Sequence, residues 1–307
     1  MQKTGYLLAV IAAVSWATLG TLCKFLYHYG ANPLTAVTIR AVIAFATLAI
    51  ILATMNRRLL RIGWQDIPFF ALYGLVGITI NYASYFYALH WTTVTTAVIL
   101  LYTYPAMVTL LAVLFLGERL DRIKGVALGL TFIGCCLVVQ GYDLAALRLN
   151  VYGILFGLVA GVTAAVYSLL GKRALQRYDS WTVVCYALGF GALFLVIWCS
   201  PRAILTVNYS WQAWAAMLAV AWIPTLLAYA LFTTSMKYLE ASRASITATL
   251  EPVIASLLAY LFLGEVMEWP QLIGAALVVG GIIGLQFSRQ TTLKGGERAS
   301  SKIESIA

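Results

Sequence analysis

The chain has 307 residues, of which 62% are hydrophobic and only 10% charged, against about a quarter charged in an ordinary soluble domain. With a mean hydropathy of +0.90, that composition excludes a disordered chain, a collagen-like chain, a disulfide scaffold and an ordinary water-soluble globule. The formal net charge of +9 is carried by short Lys/Arg clusters between apolar runs. That is the pattern of loops at a cytoplasmic membrane face, not of a nucleic-acid groove.

A bilayer span takes roughly 20 apolar residues. In chain order the apolar runs predict ten helices, at about 5–27, 33–55, 67–89, 93–116, 123–141, 151–171, 181–200, 212–236, 243–263 and 269–288. The first run is too long for the core of a cleaved leader and is followed by more spans, so it reads as the first transmembrane helix. Residues 289–307 form a polar tail rich in Gly, Ser and Lys. No loop is long enough for a soluble domain. The expected fold is an all-α integral membrane protein.

Placing the N-terminus in the cytoplasm puts 16 Lys/Arg on inside segments and only Arg148 and Arg202 on outside loops. Lys24 and Arg40 fall within helices. That bias sets both termini in the cytoplasm. Short loops and the lack of an organelle signal favour a bacterial inner membrane.

The chain also repeats itself. Gly5, Ala9, Ala13, Ala17 and Lys24 recur 148 residues later as Gly153, Gly157, Gly161, Ala165 and Lys172. Tyr82 and Ala83 recur 147 later as Tyr229 and Ala230, and so do Ala97, Pro105 and Phe115-Leu116-Gly117-Glu118, as Ala244, Pro252 and Phe262-Leu263-Gly264-Glu265. The units are 1–141 and 151–288, five helices each. Five is odd, so the second unit crosses the membrane in the opposite sense. Loop charges agree: Arg119, Arg122 and Lys124 follow helix 4, whereas Glu265 and Glu268 follow helix 9. Inverted repeats of this kind are typical of secondary transporters, with the substrate site near midplane between the repeats.

Two five-helix halves, each closing with Pro, a dozen residues and Leu-Gly-Glu, resemble the EamA-type members of the drug/metabolite transporter superfamily. The carrying residues are Tyr104-Pro105 with Phe115-Leu116-Gly117-Glu118-Arg119, Leu250-Glu251-Pro252-Val253 with Phe262-Leu263-Gly264-Glu265, and Ala88-Leu89-His90-Trp91-Thr92-Thr93. The resemblance covers nearly all of the chain but the tail. It implies ten helices around a central cavity and export or exchange of small metabolites, often amino acids or their derivatives. The first half has Tyr104 where the second has Glu251, so any acidic function at that level is one-sided.

Intramembrane ionisable groups are costly and mark function. Glu251 is placed near midplane beside Pro252, which as a mid-helix proline would kink the helix and free the carbonyl of Ala248. It is the candidate for carrying a proton or binding a substrate ammonium group. Arg40 is deep enough to attract a substrate carboxylate. Lys24, near a helix end, is expected to snorkel, and Lys172 to anchor at the inner interface. Deep aromatic and polar residues complete the cavity candidates: Trp16, Asn81, Tyr82, Tyr85, Tyr104, Tyr167, Trp222, Tyr229 and Thr247. Buried Tyr and Trp need hydrogen-bond partners, and a wet box of them suits amphipathic organic molecules. Pro105 and Pro252 mark helices 4 and 9 as gates.

The stripes Gly153/Gly157/Gly161, Gly125/Gly129 and Gly280/Gly284 are read as helix packing. Glu118 and Glu265 are expected to cap the helix that follows each. No Gly-Lys-Ser/Thr follows any of the Gly stripes, five cysteines lie in or at the ends of apolar runs, and His28 and His90 lack metal spacing. No cofactor, metal or enzymatic activity is expected. The partners are a small-molecule substrate, the lipid bilayer and, as a candidate coupling ion, protons. Exporters of cationic drugs and carriers of sugars or nucleotide sugars are the alternatives, with a non-transporting receptor or subunit more remote.

Overall fold

The computed structural model describes residues 2–144, 147, 150–199, 209–263 and 266–287. Among these lie ten transmembrane-type helices: α1 (Gln2–His28), α2 (Pro33–Met55), α3 (Trp64–Trp91), α4 (Val94–Leu101 with Tyr104–Leu116), α5 (Arg122–Val138), α6 (Val151–Ala174), α7 (Ser180–Cys199), α8 (Trp211–Ser235), α9 (Ala241–Ala248 with Glu251–Leu263) and α10 (Trp269–Gln286). All but α5 are long and apolar enough to cross a bilayer. At 17 residues, α5 is still ~25 Å long and packs along α10. Arg148, Arg202, Asn208 of the Asn208-Tyr209-Ser210 sequon, Gly264-Glu265 and the tail from Ser288 lie outside the described residues.

Polar side chains set the helix starts. Asn32 accepts from the amides of Leu34 and Thr35, with Pro33 in the first turn. Asn150 accepts from Tyr152 and Gly153, and Asp121 from Lys124. Each satisfies donors that a helix N-terminus leaves open. At the end of α4, Gly117 adopts φ +69 and Glu118 N donates to Ala112 O at 3.1 Å. This left-handed closure needs a glycine and turns the Glu118 side chain back into the protein.

The packing respects the repeat. Helix α1 lies against α8 and α9, and α6 lies against α3 and α4. The pairs α2–α7 and α5–α10 join equivalent helices of the two halves. Irregularities recur as well. A π-helical turn spans Leu75–Ile80 in α3 and Trp222–Leu227 in α8. In each, a threonine hydroxyl reaches back five residues to a carbonyl, Thr79 to Gly74 at 3.4 Å and Thr225 to Val220 at 2.9 Å.

Helices α4 and α9 both break at mid-length, but not as proline kinks. Each stops and restarts, with Pro105 and Pro252 in the first turn of the second segment. There the missing N–H costs nothing, because first-turn amides have no helical partner. The breaks are bridged by shorter bonds, Thr103 N to Leu100 O at 3.2 Å and Leu250 N to Thr247 O at 3.2 Å.

The glycine stripes divide. A Cβ on Gly153 would come within 2.0 Å of Thr92, and one on Gly157 within 2.6 Å of Leu100, so α6 sits tightly against α4. Gly125, Gly129, Gly280 and Gly284 face open space, with nothing within 4 Å. The α5–α10 contact is made one face over, where a Cβ on Gly134 would lie 2.6 Å from the carbonyl of Gly274. Helical spacing alone does not tell which face meets a neighbour.

Candidate functional site

A cavity of about 180 Å³ lies between the halves, many times the ~10–15 Å³ that one water needs. The structure brings nine of the eleven cavity candidates to its wall: Trp16 from α1, Arg40 from α2, Asn81, Tyr82 and Tyr85 from α3, Tyr104 from α4, Tyr167 from α6, Tyr229 from α8 and Glu251 from α9.

The centre is an aromatic box on the repeat axis. Tyr82 Oη donates to Tyr229 Oη at 3.1 Å, joining equivalent residues of the two halves. The Tyr229 ring stands edge-on to Trp16 (5.5 Å between centroids) and to Tyr167 (5.2 Å). Phe232, one turn past Tyr229, packs on Trp16 at 5.1 Å. The Tyr167 hydroxyl is paired with Thr233 at 3.2 Å. These rings present apolar faces to the cavity while their hydroxyls are held by neighbours.

Charge enters from two walls. The Arg40 guanidinium lies 4.4 Å above the Tyr82 ring, a cation–π placement that fixes the cation at the cavity edge. Glu251 begins the second segment of α9, near open amides of a helix start, and shares the cavity wall with Tyr102. Tyr104, its counterpart in the first half, donates to Ser245 O at 3.1 Å. Asn81 donates to Ala160 O at 2.8 Å and Thr163 Oγ1 at 3.1 Å, tying the site to α6.

Two candidates lie elsewhere. Thr247 is fully buried and its hydroxyl donates to Arg243 O at 2.8 Å within its own helix. Trp222 is 46% exposed, and its indole N–H donates to Thr47 at 3.1 Å. The π turn in α8 rotates that residue off the cavity face. Tyr102, Phe232, Gly77 and Pro224 also line the cavity. Phe232 follows Tyr229 by one helical turn, and Pro224 is the repeat partner of Gly77, so both signals were available in the spacing.

One further expectation changes. Glu118 does not cap the following helix. It accepts from Ala241 N at 2.7 Å and Ser242 N at 3.4 Å, and from the Ser242 hydroxyl, at the start of α9. Lys172, half-buried in the last turn of α6, donates its ammonium to Met236 O and Leu239 O beyond the end of α8, at 2.5 and 2.7 Å. Lys124 and Arg243, counted as loop charges, are 0% and 1% exposed.

The EamA-like transporter family profile matches this chain twice, over residues 3–140 and 151–287. The chain belongs to the EamA-like transporter family. This family member is 32% identical over 282 residues to a protein of Archaeoglobus fulgidus named only as an uncharacterized transporter, covering 92% of this chain and 96% of that one. It is 26% identical to the pseudopaline exporter of Pseudomonas aeruginosa, over 94% of this chain and 98% of that one. It is 27% identical to a protein of Streptantibioticus cattleyicolor named a probable terminal-alkyne amino-acid exporter, over 89% and 90%. A crystal structure 20% identical to it superposes with a TM-score of 0.79, covering 93% of this chain and 97% of its own, a likeness of fold. This EamA-like protein is therefore an integral membrane transporter and not an enzyme.

Proposed function

We propose that this transporter is an alternating-access secondary carrier that exports small zwitterionic metabolites, amino acids or their derivatives. The observation that carries this is the cavity itself. It has one guanidinium, Arg40, one carboxyl, Glu251, and aromatic faces between them. Arg40 suits a substrate carboxylate and Glu251 an ammonium group, while Trp16, Tyr82 and Tyr229 cover an apolar side chain. The relatives named as exporters of pseudopaline and of a terminal-alkyne amino acid support the substrate class.

The moving units are residues 1–141 and 151–288, and the broken helices α4 and α9 are the gates. The end of the molecule carrying Lys124, Lys172, Lys237 and Arg243 faces the cytoplasm, both termini included, in a bacterial inner membrane. Glu251 carries the proton in a proton-coupled cycle, because it is a carboxyl facing the cavity at the discontinuity of a gate helix. No nucleotide takes part; the drive is a substrate or proton gradient.

The test is counterflow in proteoliposomes holding purified protein and a panel of unlabelled amino acids. Uptake of a labelled amino acid accelerated by particular internal solutes supports the reading. Folded protein giving no flux with any panel member overturns the substrate class.

A further inference from the structure

Equivalent segments of the two halves are in different states. Ala241–Ala248, the first segment of α9, is buried at all eight positions. Its counterpart 147 residues earlier is Val94–Leu101, in which only Thr96 and Ala97 are buried and Val94 is 66% exposed. A two-fold related molecule in a symmetric state would bury both segments alike. Among the described residues the α9 start is enclosed and the α4 start is not, which reads as closure at the α9 end and parting at the other.

Four buried charged side chains hold the closed end. Glu240 accepts from Arg243 Nε at 2.8 Å and from Lys124 Nζ at 3.0 Å. Lys124 also donates to Arg119 O at 2.8 Å and lies 3.6 Å from Glu118. Glu118 in turn holds the α9 N-terminus. Arg243 reaches Tyr6 Oη of α1 at 3.1 Å and Leu285 O of α10 at 3.0 Å. The cluster thus ties the α4–α5 turn of one half to α9 and α10 of the other. Buried ion pairs are net favourable only with good geometry and satisfied remaining groups. These bonds meet that condition.

Three of the four repeat partners at the other end are neutral. Thr93 stands for Glu240, Thr96 for Arg243 and Gln271 for Lys124. The Glu240–Arg243 contact has a neutral counterpart, Thr93 Oγ1 and Thr96 Oγ1 being 3.0 Å apart, whereas Gln271 turns elsewhere and donates to Val138 O at 2.9 Å. The partner of Glu118 is Glu265, outside the described residues.

From this asymmetry we infer that Glu118, Lys124, Glu240 and Arg243 form a one-sided lock. They keep the α9 end closed, and the less charged set at the other end lets that end part. The cluster separates when the carrier opens toward the α9 end, where water rehydrates its charges. The lock rests on the alternating-access reading but concerns its resting state, not its substrate.

Thiol accessibility tests it without any substrate. The five native cysteines are replaced, and single probes are placed at Leu101, on the cavity wall, and at its repeat partner Ala248, which is fully buried. Alkylation by a small polar maleimide in detergent is expected to be fast for Leu101→Cys and slow for Ala248→Cys. The double change Glu240→Thr with Arg243→Thr installs the pair already accommodated at Thr93 and Thr96. It is expected to raise Ala248→Cys labelling about tenfold and lower Leu101→Cys labelling, as a population shift requires. Glu118→Gln, which keeps the shape, moves both rates in the same directions by less.

A folded double variant with unchanged rates overturns the lock. So does an unchanged Glu118→Gln if the double variant does not fold. Equal labelling of the two probes in the parent protein overturns the closed resting state. Unchanged labelling with counterflow intact removes the lock and leaves the carrier; absent counterflow with the expected labelling removes the amino-acid substrate class and leaves the lock.

Discussion

Glu118→Ala is the single change expected to weaken the fold most. The Glu118 side chain is 3% exposed as a residue and accepts from Ala241 N, Ser242 N and the Ser242 hydroxyl, 3.6 Å from Lys124. Alanine leaves two amides of a completely buried helix start without an acceptor. A buried donor stranded in this way costs about 1–3 kcal/mol. Removing one partner from a buried charged cluster costs about 3–5 kcal/mol in all, and the two estimates describe the same loss. Gln keeps one acceptor oxygen for Ala241 and lets the Ser242 hydroxyl turn round, so its cost is about 1–2 kcal/mol. At roughly 2–4 °C per kcal/mol for a chain of this order, Glu118→Ala lowers the thermal midpoint in detergent by roughly 10 °C, and Glu118→Gln by a few degrees. Tryptophan fluorescence against temperature measures both. An alanine variant that melts with the parent protein would refute the assignment of Glu118 as the cap of α9.

Four other outcomes are expected. Glu251→Gln should leave the protein folded and remove the dependence of counterflow on a pH gradient; retention of that dependence eliminates Glu251 as the proton carrier. Arg40→Gln should raise the KM for carboxylate-bearing substrates by roughly 10- to 100-fold, the loss of one charge-assisted contact, and leave the corresponding amides unchanged in competition assays. Gly153→Ala should destabilise by about 1–3 kcal/mol through overpacking on Thr92, whereas Gly280→Ala, with nothing within 4 Å, should melt with the parent; equal melting of the two variants contradicts the packing described. Asp179, in the turn before α7, gives a pH effect of known sign. Burial raises its carboxyl, but hydrogen bonds from Lys237 and Trp181 N–H outweigh burial and hold it below 3.8. Its contribution is present above that value and is lost as pH falls through the lowered one. Asp179→Asn should therefore flatten the stability profile below about pH 4.

The helices and the repeat were legible because a bilayer enforces long apolar runs and because Tyr82/Tyr229 and Pro105/Pro252 keep one register. The cavity was largely legible too, since deep polar aromatics such as Tyr167 stand out against lipid-facing residues. Departures from a straight helix hid the rest. The π turn in α8 moved Trp222 off the cavity, and the restart at Glu251 gave Pro252 a first-turn place that no periodicity marks. Lys124 and Arg243 were hidden for a different reason. Positive-inside counting treats every lysine and arginine near a helix end alike, while burial depends on acceptors supplied from remote turns. Glu118 shows the same limit, capping a helix 123 residues further along the chain.

The most direct test of the zwitterion reading compares three related solutes in proteoliposomes: an amino acid, the amine left by removing its carboxyl, and the acid left by removing its amino group. Each is loaded inside, and acceleration of labelled amino-acid uptake is followed. With Arg40 and Glu251 on separate walls, the intact amino acid should accelerate uptake strongly and each truncated solute weakly. Arg40→Gln should spare the amine, and Glu251→Gln the acid. Equal acceleration by all three, unchanged in both variants, would contradict the account.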